Sequence, residues 1–334
     1  YVKISPSGTI TVAVPQAELG QGVTTAIPML VAEDLDADWT DVRYELAPLD
    51  KDYGSYVIAE AIPLMFMTPG ITADMTRDAL YKVTPLIGLI ITGGSSSILG
   101  NYNYLRTVGA AIRGMLVEAA ALRLDVPKSE LTTEKSKVIH ATSGRSLTYG
   151  ELAEAATEMT PPSDNPLKDA SEYTLLNHPV GRLDTPEKSD GSAIYGIDVK
   201  LPGMLHAAIK HSPMFKGTLD TFDADSAMAR KGVVGVFPVL DNAVAVVAEN
   251  TWTAQKALDE MDVTWTPPKG MPFSTSKALP NYAQLFDAAD VNVLQEDETF
   301  LADWDRATKT VEAVYETPYL AHVCMEPMGC TALY

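Results

Sequence analysis

The stretch AELGQGVTT, residues 17–25, joins an alternating segment, TITVAVPQ (9–16), to a helix-like run, AIPMLVAEDL (26–35). A bare turn needs one glycine, yet here Gly20 and Gly22 flank the amide of Gln21. Glycines let a backbone approach a ligand closely, and a helix N-terminus offers free N–H groups. The glutamine amide adds a donor and an acceptor. On residues alone two readings stand: a glycine turn with an exposed glutamine, or a loop that faces a ligand.

Outward from this junction, VKISPSGTITVAVPQ (2–16) predicts a hairpin that turns at Pro6-Ser7-Gly8. A helix is expected over 24–35, with Pro28 tolerable near its first turn, and a strand over 41–50. Residues 51–92 are expected to be irregular apart from a short helix at TADMTRDALYKV (72–83), and that region reads as an insertion. The small-residue loop TGGSSSI (92–98) then leads into a long helix. Leu105, Val108, Ile112, Met115, Leu116 and Ala119 recur there at helical spacing. Gly109, Ala110, Ala111 and Gly114 keep part of its surface small enough for a close neighbour, and the helix should stop near Asp125, before Pro127. A strand pair and a further helix are expected over 130–159.

Gly93, Gly94, Ser95, Ser96 and Ser97 make an anion-cradle candidate, although the Gly-Lys-Ser/Thr ending of a Walker loop is missing. The alternative is a serine-rich loop that caps a helix. Cations are sparse near both glycine loops: none lies between Lys3 and Arg43, and the first after Gly93 is Arg106.

The proline-rich run at 161–177 reads as a linker. Residues 178–266 read as an α+β unit, with strands at GSAIYGIDVKLP (191–202), GMLHAAIKHS (203–212), GVVGVFPV (232–239) and NAVAVVAEN (242–250) and two helices. A second linker is expected at 267–281, then over 282–334 a helix-like stretch and a closing strand. The chain starts at Tyr1, as expected where a leader has been removed or where the sequence begins inside a longer protein, and its ending on that strand is expected of a truncated polypeptide.

Composition narrows the class. With 334 residues, 46% hydrophobic and 21% charged, the chain is long and apolar enough for two or three globular domains. A net charge of −19 argues against nucleic acid as a partner. The most apolar runs, at 62–71 and 84–92, are short and broken by proline and glycine, so no membrane-spanning helix is expected. Two cysteines, Cys324 and Cys330, make no disulfide framework. With His322 and Glu326 they match no zinc spacing, so buried thiols and a paired Glu326 are expected there. His140, His178, His206 and His211 are scattered and read as surface or packing residues.

Taken in order, AELGQGVTTAIPMLVAEDLDADWTDVRYELAP and TGGSSSI…YLRTVGAAIRGMLVEAAA resemble the molybdopterin-binding large (beta) subunits of the xanthine dehydrogenase/aldehyde oxidase family, in the isoquinoline 1-oxidoreductase type. GRLDTPEKSDGSAIYGIDVKLPGMLHAAI…VAVVAENTWTAQKALDEMDVTW resembles that family's α/β hammerhead domain, and PYLAHVCMEPMGCTA the opening strand of its next domain. The resemblance implies an α+β large-subunit fragment. Its parts are a cofactor-facing α/β region (1–160), a linker (161–177), a hammerhead domain (178–266), a linker (267–281) and the start of a second molybdopterin-binding domain (282–334).

The resemblance also implies the chemistry. Gln21 lies beside the molybdenum as an amide that orients its ligands, Gly20 and Gly22 let backbone reach the pterin, and Gly93 to Ser97 contact the dinucleotide of molybdopterin cytosine dinucleotide. The reaction is oxidation of an aldehyde to the acid, or hydroxylation of an N-heteroaromatic with oxygen from water, the metal centre supplying the oxygen nucleophile at neutral pH. Electrons leave through [2Fe-2S] clusters on a small partner subunit and, in some relatives, through a membrane-anchored cytochrome c subunit. The family's base, a glutamate in a Gly-x-Gly-Glu segment near the end of the large subunit, has no counterpart in this chain. The chain alone is therefore expected to be inactive, and to work with the remainder of the subunit or a companion chain. Relatives are often exported folded, which implies a periplasmic location, with the cytoplasm as the alternative. The rival class is a non-catalytic interaction or assembly module that keeps the fold without metal.

Overall fold

The computed structural model describes residues 1–162, 165–270, 274–285, 297, 299–320, 325 and 327–334. The chain divides into two units, Tyr1–Ala193 and Ile194–Tyr334.

In the first unit the expected hairpin forms. Strands β1 (Val2–Ile4) and β2 (Ile10–Val14) pair antiparallel, and Gly8 takes φ 93° at the turn. Helix α1 (Val23–Leu35) then crosses over to β3 (Val42–Leu46), which pairs parallel with β2. A parallel return of this kind needs a covering helix, and the apolar side of α1 supplies it. Ile10, Val12 and Val14 on β2 are buried against Val23, Ile27, Leu30, Val31 and Leu35 of α1. Pro28 lies in the second turn of α1, one turn later than its expected place.

Residues 51–92 are more regular than expected: a further helix, α2 (Val57–Phe66), packs on α3 (Ile71–Ile87), whose middle is the helix expected at 72–83. Pro63 sits inside α2 and Pro85 in the last turn of α3, where each removes one backbone donor from its helix. The prolines and Gly70 make this segment read as broken in sequence.

The small-residue loop does not run straight into the long helix. A four-residue helix α4 (Ser96–Leu99) intervenes before α5 (Tyr102–Leu124), which ends on Asp125 in the left-handed conformation, two residues before Pro127. Helix α5 crosses α1 closely: a Cβ on Gly109 would meet the Val31 carbonyl oxygen, which is why that face is small. Beyond it a three-stranded antiparallel sheet forms instead of a strand pair, because β4 (Leu131–Glu134) joins β5 (Lys137–His140) and β6 (Arg145–Thr148). Helix α6 (Tyr149–Thr157) starts on a capping box between Thr148 and Glu151. Its buried Tyr149 hydroxyl donates to the Leu35 carbonyl at the end of α1, at 2.6 Å.

The run read as a linker is, from residue 165 onward, a strap along α1. At the C-terminal end of the helix, Glu33 and Asp34 are fully buried. Glu33 accepts from Lys168 Nζ at 3.0 Å and from the amides of Thr174, Leu175 and Leu176 at 3.1, 2.7 and 2.9 Å. Asp34 accepts from Arg106 Nε of α5 at 2.7 Å and from the Lys168 amide at 2.8 Å. The Arg106 guanidinium also lies over the rings of Tyr102 and Tyr173, 5.3 and 5.0 Å from their centroids. At the other end of the helix the Leu183 amide donates to Thr25 Oγ1 at 3.0 Å. The strap leads into α7 (Thr185–Asp190) and stays with the first unit to Ala193, past the boundary that composition suggested. Its hold on α1 comes from side chains more than 130 residues upstream, a separation that local composition does not register.

In the second unit β7 (His206–His211), β9 (Val233–Val239) and β10 (Ala243–Ala248) form an antiparallel sheet in the order β7-β10-β9, and β8 (Thr218–Phe222) pairs with β11 (Val263–Thr266). Helices α8 (Ala224–Met228) and α9 (Thr251–Glu260) bury Ala227, Ala254, Ala257 and Leu258 with Val244 and Val246 of β10. The strand expected over 191–202 is absent; a short turn of helix at Gly196–Asp198 stands there, between Gly191 and Pro202. Helix α10 (Thr275–Leu285) begins inside the second expected linker, and α11 (Phe300–Arg306) supplies the helix-like stretch. No strand forms among the described residues of 308–334. His322, Cys324 and Glu326 lie outside the described residues, and Cys330 is exposed rather than buried. Among the described residues no helix is long and apolar enough to cross a membrane.

Burial pushes the Glu33 carboxyl up, but the amides of Leu176, Leu175 and Thr174, with Lys168, outweigh it and hold it below its ordinary 4.5. A depressed folded value means that the stabilisation is present above the unfolded value and is lost as pH falls through the folded one. Unfolding free energies of Glu33→Gln and wild type should therefore differ most at neutral pH and converge below about pH 4.5. A difference constant with pH would contradict the ionised clasp.

Candidate functional site

The two glycine loops are brought together. The Ala17 amide, three residues beyond β2, donates to Thr92 Oγ1 at 2.9 Å, so the two loops meet at their first residues. Gly20 and Gly22 have φ 102° and 88°, and Gly94 and Ser95 have 57° and 59°; these left-handed values favour glycine. A Cβ at Gly20, Gly93 or Gly94 would meet nothing within 4 Å, so both loops border open space.

The donors at the start of α1 are not free, contrary to the sequence expectation. Glu18, four residues upstream of Gly22, folds its carboxylate over the helix N-terminus. One oxygen accepts from the Gly20 and Gly22 amides at 2.8 and 3.0 Å; the other accepts from the Thr24 amide and hydroxyl at 3.2 and 2.8 Å. A carboxylate is the charge that this end of a helix dipole favours. Burial pushes the Glu18 carboxyl up, yet the Gly22 and Thr24 donors outweigh it, and its value falls below the ordinary one. The Gln21 amide is likewise turned into its own loop, donating to the Ala17 carbonyl at 2.9 Å and accepting from the Leu19 amide at 2.6 Å.

Neither loop carries a nearby cation in sequence, but the strap brings one. Arg182 donates to the Gly20 carbonyl at 3.1 Å and reaches Glu18 at 3.4 Å. Asp184 binds the same guanidinium at 2.7 Å and Lys188 at 2.6 Å. Arg182, then Lys188, holds the Asp184 carboxyl far below its usual range despite burial. Glu18, Arg182 and Asp184 do not stand out in sequence, because the last two are about 160 residues away from the loop. An acidic residue placed to cap the helix is the one signal that could have flagged Glu18.

In the second loop Ser96 is buried, its hydroxyl 3.4 Å from the Ile91 carbonyl; the Ser95 and Ser97 hydroxyls have no partner among the described residues. Gln16, beside the first loop, is 1% exposed, and neither its amide nitrogen nor its amide oxygen has a partner among the described residues. Open, glycine-lined backbone and an unpaired amide suit a flat polar group. A negatively charged one is opposed at α1 by Glu18, and free hydroxyls favour it at the second loop.

No family model matches the chain. It is 31% identical over 320 residues to the beta subunit of isoquinoline 1-oxidoreductase from Brevundimonas diminuta, across 85% of this chain and 37% of that one. It is 28% identical over 347 residues to a membrane-bound aldehyde dehydrogenase of Gluconacetobacter polyoxogenes, named for pyrroloquinoline quinone, across 99% and 40%. To a nicotinate dehydrogenase subunit of Pseudomonas putida it is 27% identical over 342 residues, across 98% and 25%. The chain thus spans between a quarter and two fifths of the length of these relatives.

Replacing Glu18 with alanine leaves three amide donors at the start of α1 without their acceptor. The expected loss is about 1 kcal/mol of stability, the usual weight of an N-terminal cap. Hydrogen exchange at the Gly22 and Thr24 amides should quicken. Unchanged exchange at both would show that the carboxylate does not cap this helix in solution.

Proposed function

We propose, for a chain that belongs to the isoquinoline 1-oxidoreductase large-subunit type of the xanthine dehydrogenase/aldehyde oxidase family, that it forms the cofactor-facing part of a molybdenum hydroxylase. The reaction is oxidation of an aldehyde to the acid, or hydroxylation of an N-heteroaromatic with oxygen from water. Electrons pass to [2Fe-2S] clusters on a small partner subunit and onward to a cytochrome c subunit where one is present. Residues 178–266 take the hammerhead role, residues 282–334 open the next cofactor-binding domain, and the complex works in the periplasm.

The observation that supports this reading is the Ala17–Thr92 hydrogen bond, which joins the start of one family loop to the start of the other. Residues 17–22 would hold the pterin and residues 93–97 the dinucleotide of molybdopterin cytosine dinucleotide. When bound, that group supplies the redox-active metal and its oxygen nucleophile. This chain's contribution is placement. Gly20, Gly93 and Gly94 leave room for close approach, and Ser95 and Ser97 offer hydroxyls. For Gln21 to orient a ligand at the metal, its amide must exchange the bonds to Ala17 and Leu19 for that contact, a local swap at roughly equal hydrogen-bond count.

The test is the content of the native complex, set against the quinone in one relative's name. Molybdenum and cytidine nucleotide in equal amounts, with no pyrroloquinoline quinone, is the expected result. Gln21→Ala should lower turnover about 10- to 100-fold while molybdenum content holds. Stoichiometric quinone, or a complex without molybdenum, would overturn the reading; the latter is what a non-catalytic assembly module predicts.

A further inference from the structure

We propose that Gln16 is a cofactor-binding residue whose amide pairs with the edge of the pterin; the inference rests on the function proposed above. Gln16 is 1% exposed, and both polar atoms of its side chain lack partners among the described residues. Native proteins pair nearly all such groups, because an unpaired buried amide is destabilising while an apolar side chain of the same shape is not. A methionine or leucine would therefore serve packing better at this position. An amide retained there has a partner in another state of the protein.

Position says where that partner is. Side chains on a strand alternate, and Ile10, Val12 and Val14 of β2 all face the core under α1. Gln16 continues that row by two residues, at the end where α1 begins. The next residue, Ala17, supplies the amide that joins the two glycine loops. A second orphan stands at the far end of the second loop. Asn101, fully buried just before α5, holds the Ser97 carbonyl through its Nδ2 at 2.8 Å, while its Oδ1 has no partner among the described residues. The two loops are thus flanked by unsatisfied amide groups at Gln16 and Asn101.

The chemistry selects the ligand class. A glutamine amide presents a donor and an acceptor side by side, which complements a heterocyclic edge that carries both, as in glutamine pairing with an adenine edge. A phosphate offers acceptors alone and would leave the amide oxygen unpaired. The pterin, with ring N–H and C=O groups, satisfies both atoms. Gly20 and Gly22 are the points at which the intervening loop can turn to admit it.

The experiment uses Gln16→Met in the complete complex with its companion chains, and reads molybdenum and cytidine nucleotide content beside the unfolding midpoint. Retained cofactor should fall about tenfold, as is usual when a group that supports a metal centre is lost. The midpoint of the cofactor-free protein should stay level or rise, because the orphaned amide is gone. Wild-type content in Gln16→Met overturns the proposal. So does a drop in the midpoint of the cofactor-free variant, which would mean that the amide is paired inside the protein. A wild-type complex that holds neither molybdenum nor nucleotide overturns the proposed function itself and the role of Gln16 with it.

Discussion

Two adjacent carboxylates at the end of α1, Glu33 and Asp34, bind three segments into one body. Neighbouring residues on a helix point about 100° apart, so the pair reaches in two directions at once. Asp34 takes Arg106 of α5, and Glu33 takes three consecutive amides of the strap. Lys168 serves both, through its amide to Asp34 and its ammonium to Glu33 and Asp36. Burying two carboxylates is costly unless each is paired and hydrogen-bonded, and here both are. Removing one partner from such a cluster typically costs about 3–5 kcal/mol, because the charge left behind is buried and uncompensated. The cation–π contacts of Arg106 with Tyr102 and Tyr173 tie the same point to two more side chains.

The far end of α1 inherits that order. With its C-terminal end fixed to the strap, the helix presents its N-terminal loop, which meets the second loop at the Ala17–Thr92 bond, and the strap returns to lay Arg182 and Asp184 against it. Charge then divides the labour. Glu18 already takes the amide donors at the start of α1, so an incoming phosphate finds them occupied there and free hydroxyls at Ser95 and Ser97. This is the physical ground for giving the flat ring system to the first loop and the charged dinucleotide to the second.

Much of this is legible in the sequence where the cause is local. Alternation marks β1 and β2, helical spacing marks α5, and the small residues of α5 announce the close crossing at Gly109. Legibility fails where proline reads as a break, which hides α2 and shortens the expected α3, although Pro63 and Pro85 sit inside them. It fails again at 165–177, whose polar, proline-punctuated composition resembles a linker until buried carboxylates on a distant helix take up the amides of Lys168, Thr174, Leu175 and Leu176. The glycine loops stand out by composition. Glu18 and Gln16, which decide what those loops can receive, look like ordinary polar residues in sequence, because unpaired or capping roles depend on which neighbours the fold supplies.

An anomalous difference map at the molybdenum absorption edge, from crystals of the cofactor-loaded complex, tests the account most directly. The account predicts one molybdenum peak beside residues 17–22, with density for the ring system running toward residues 92–97 and the Gln16 amide paired. A peak remote from both loops, or ring density that leaves Gln16 and Ser95–Ser97 untouched, would contradict it.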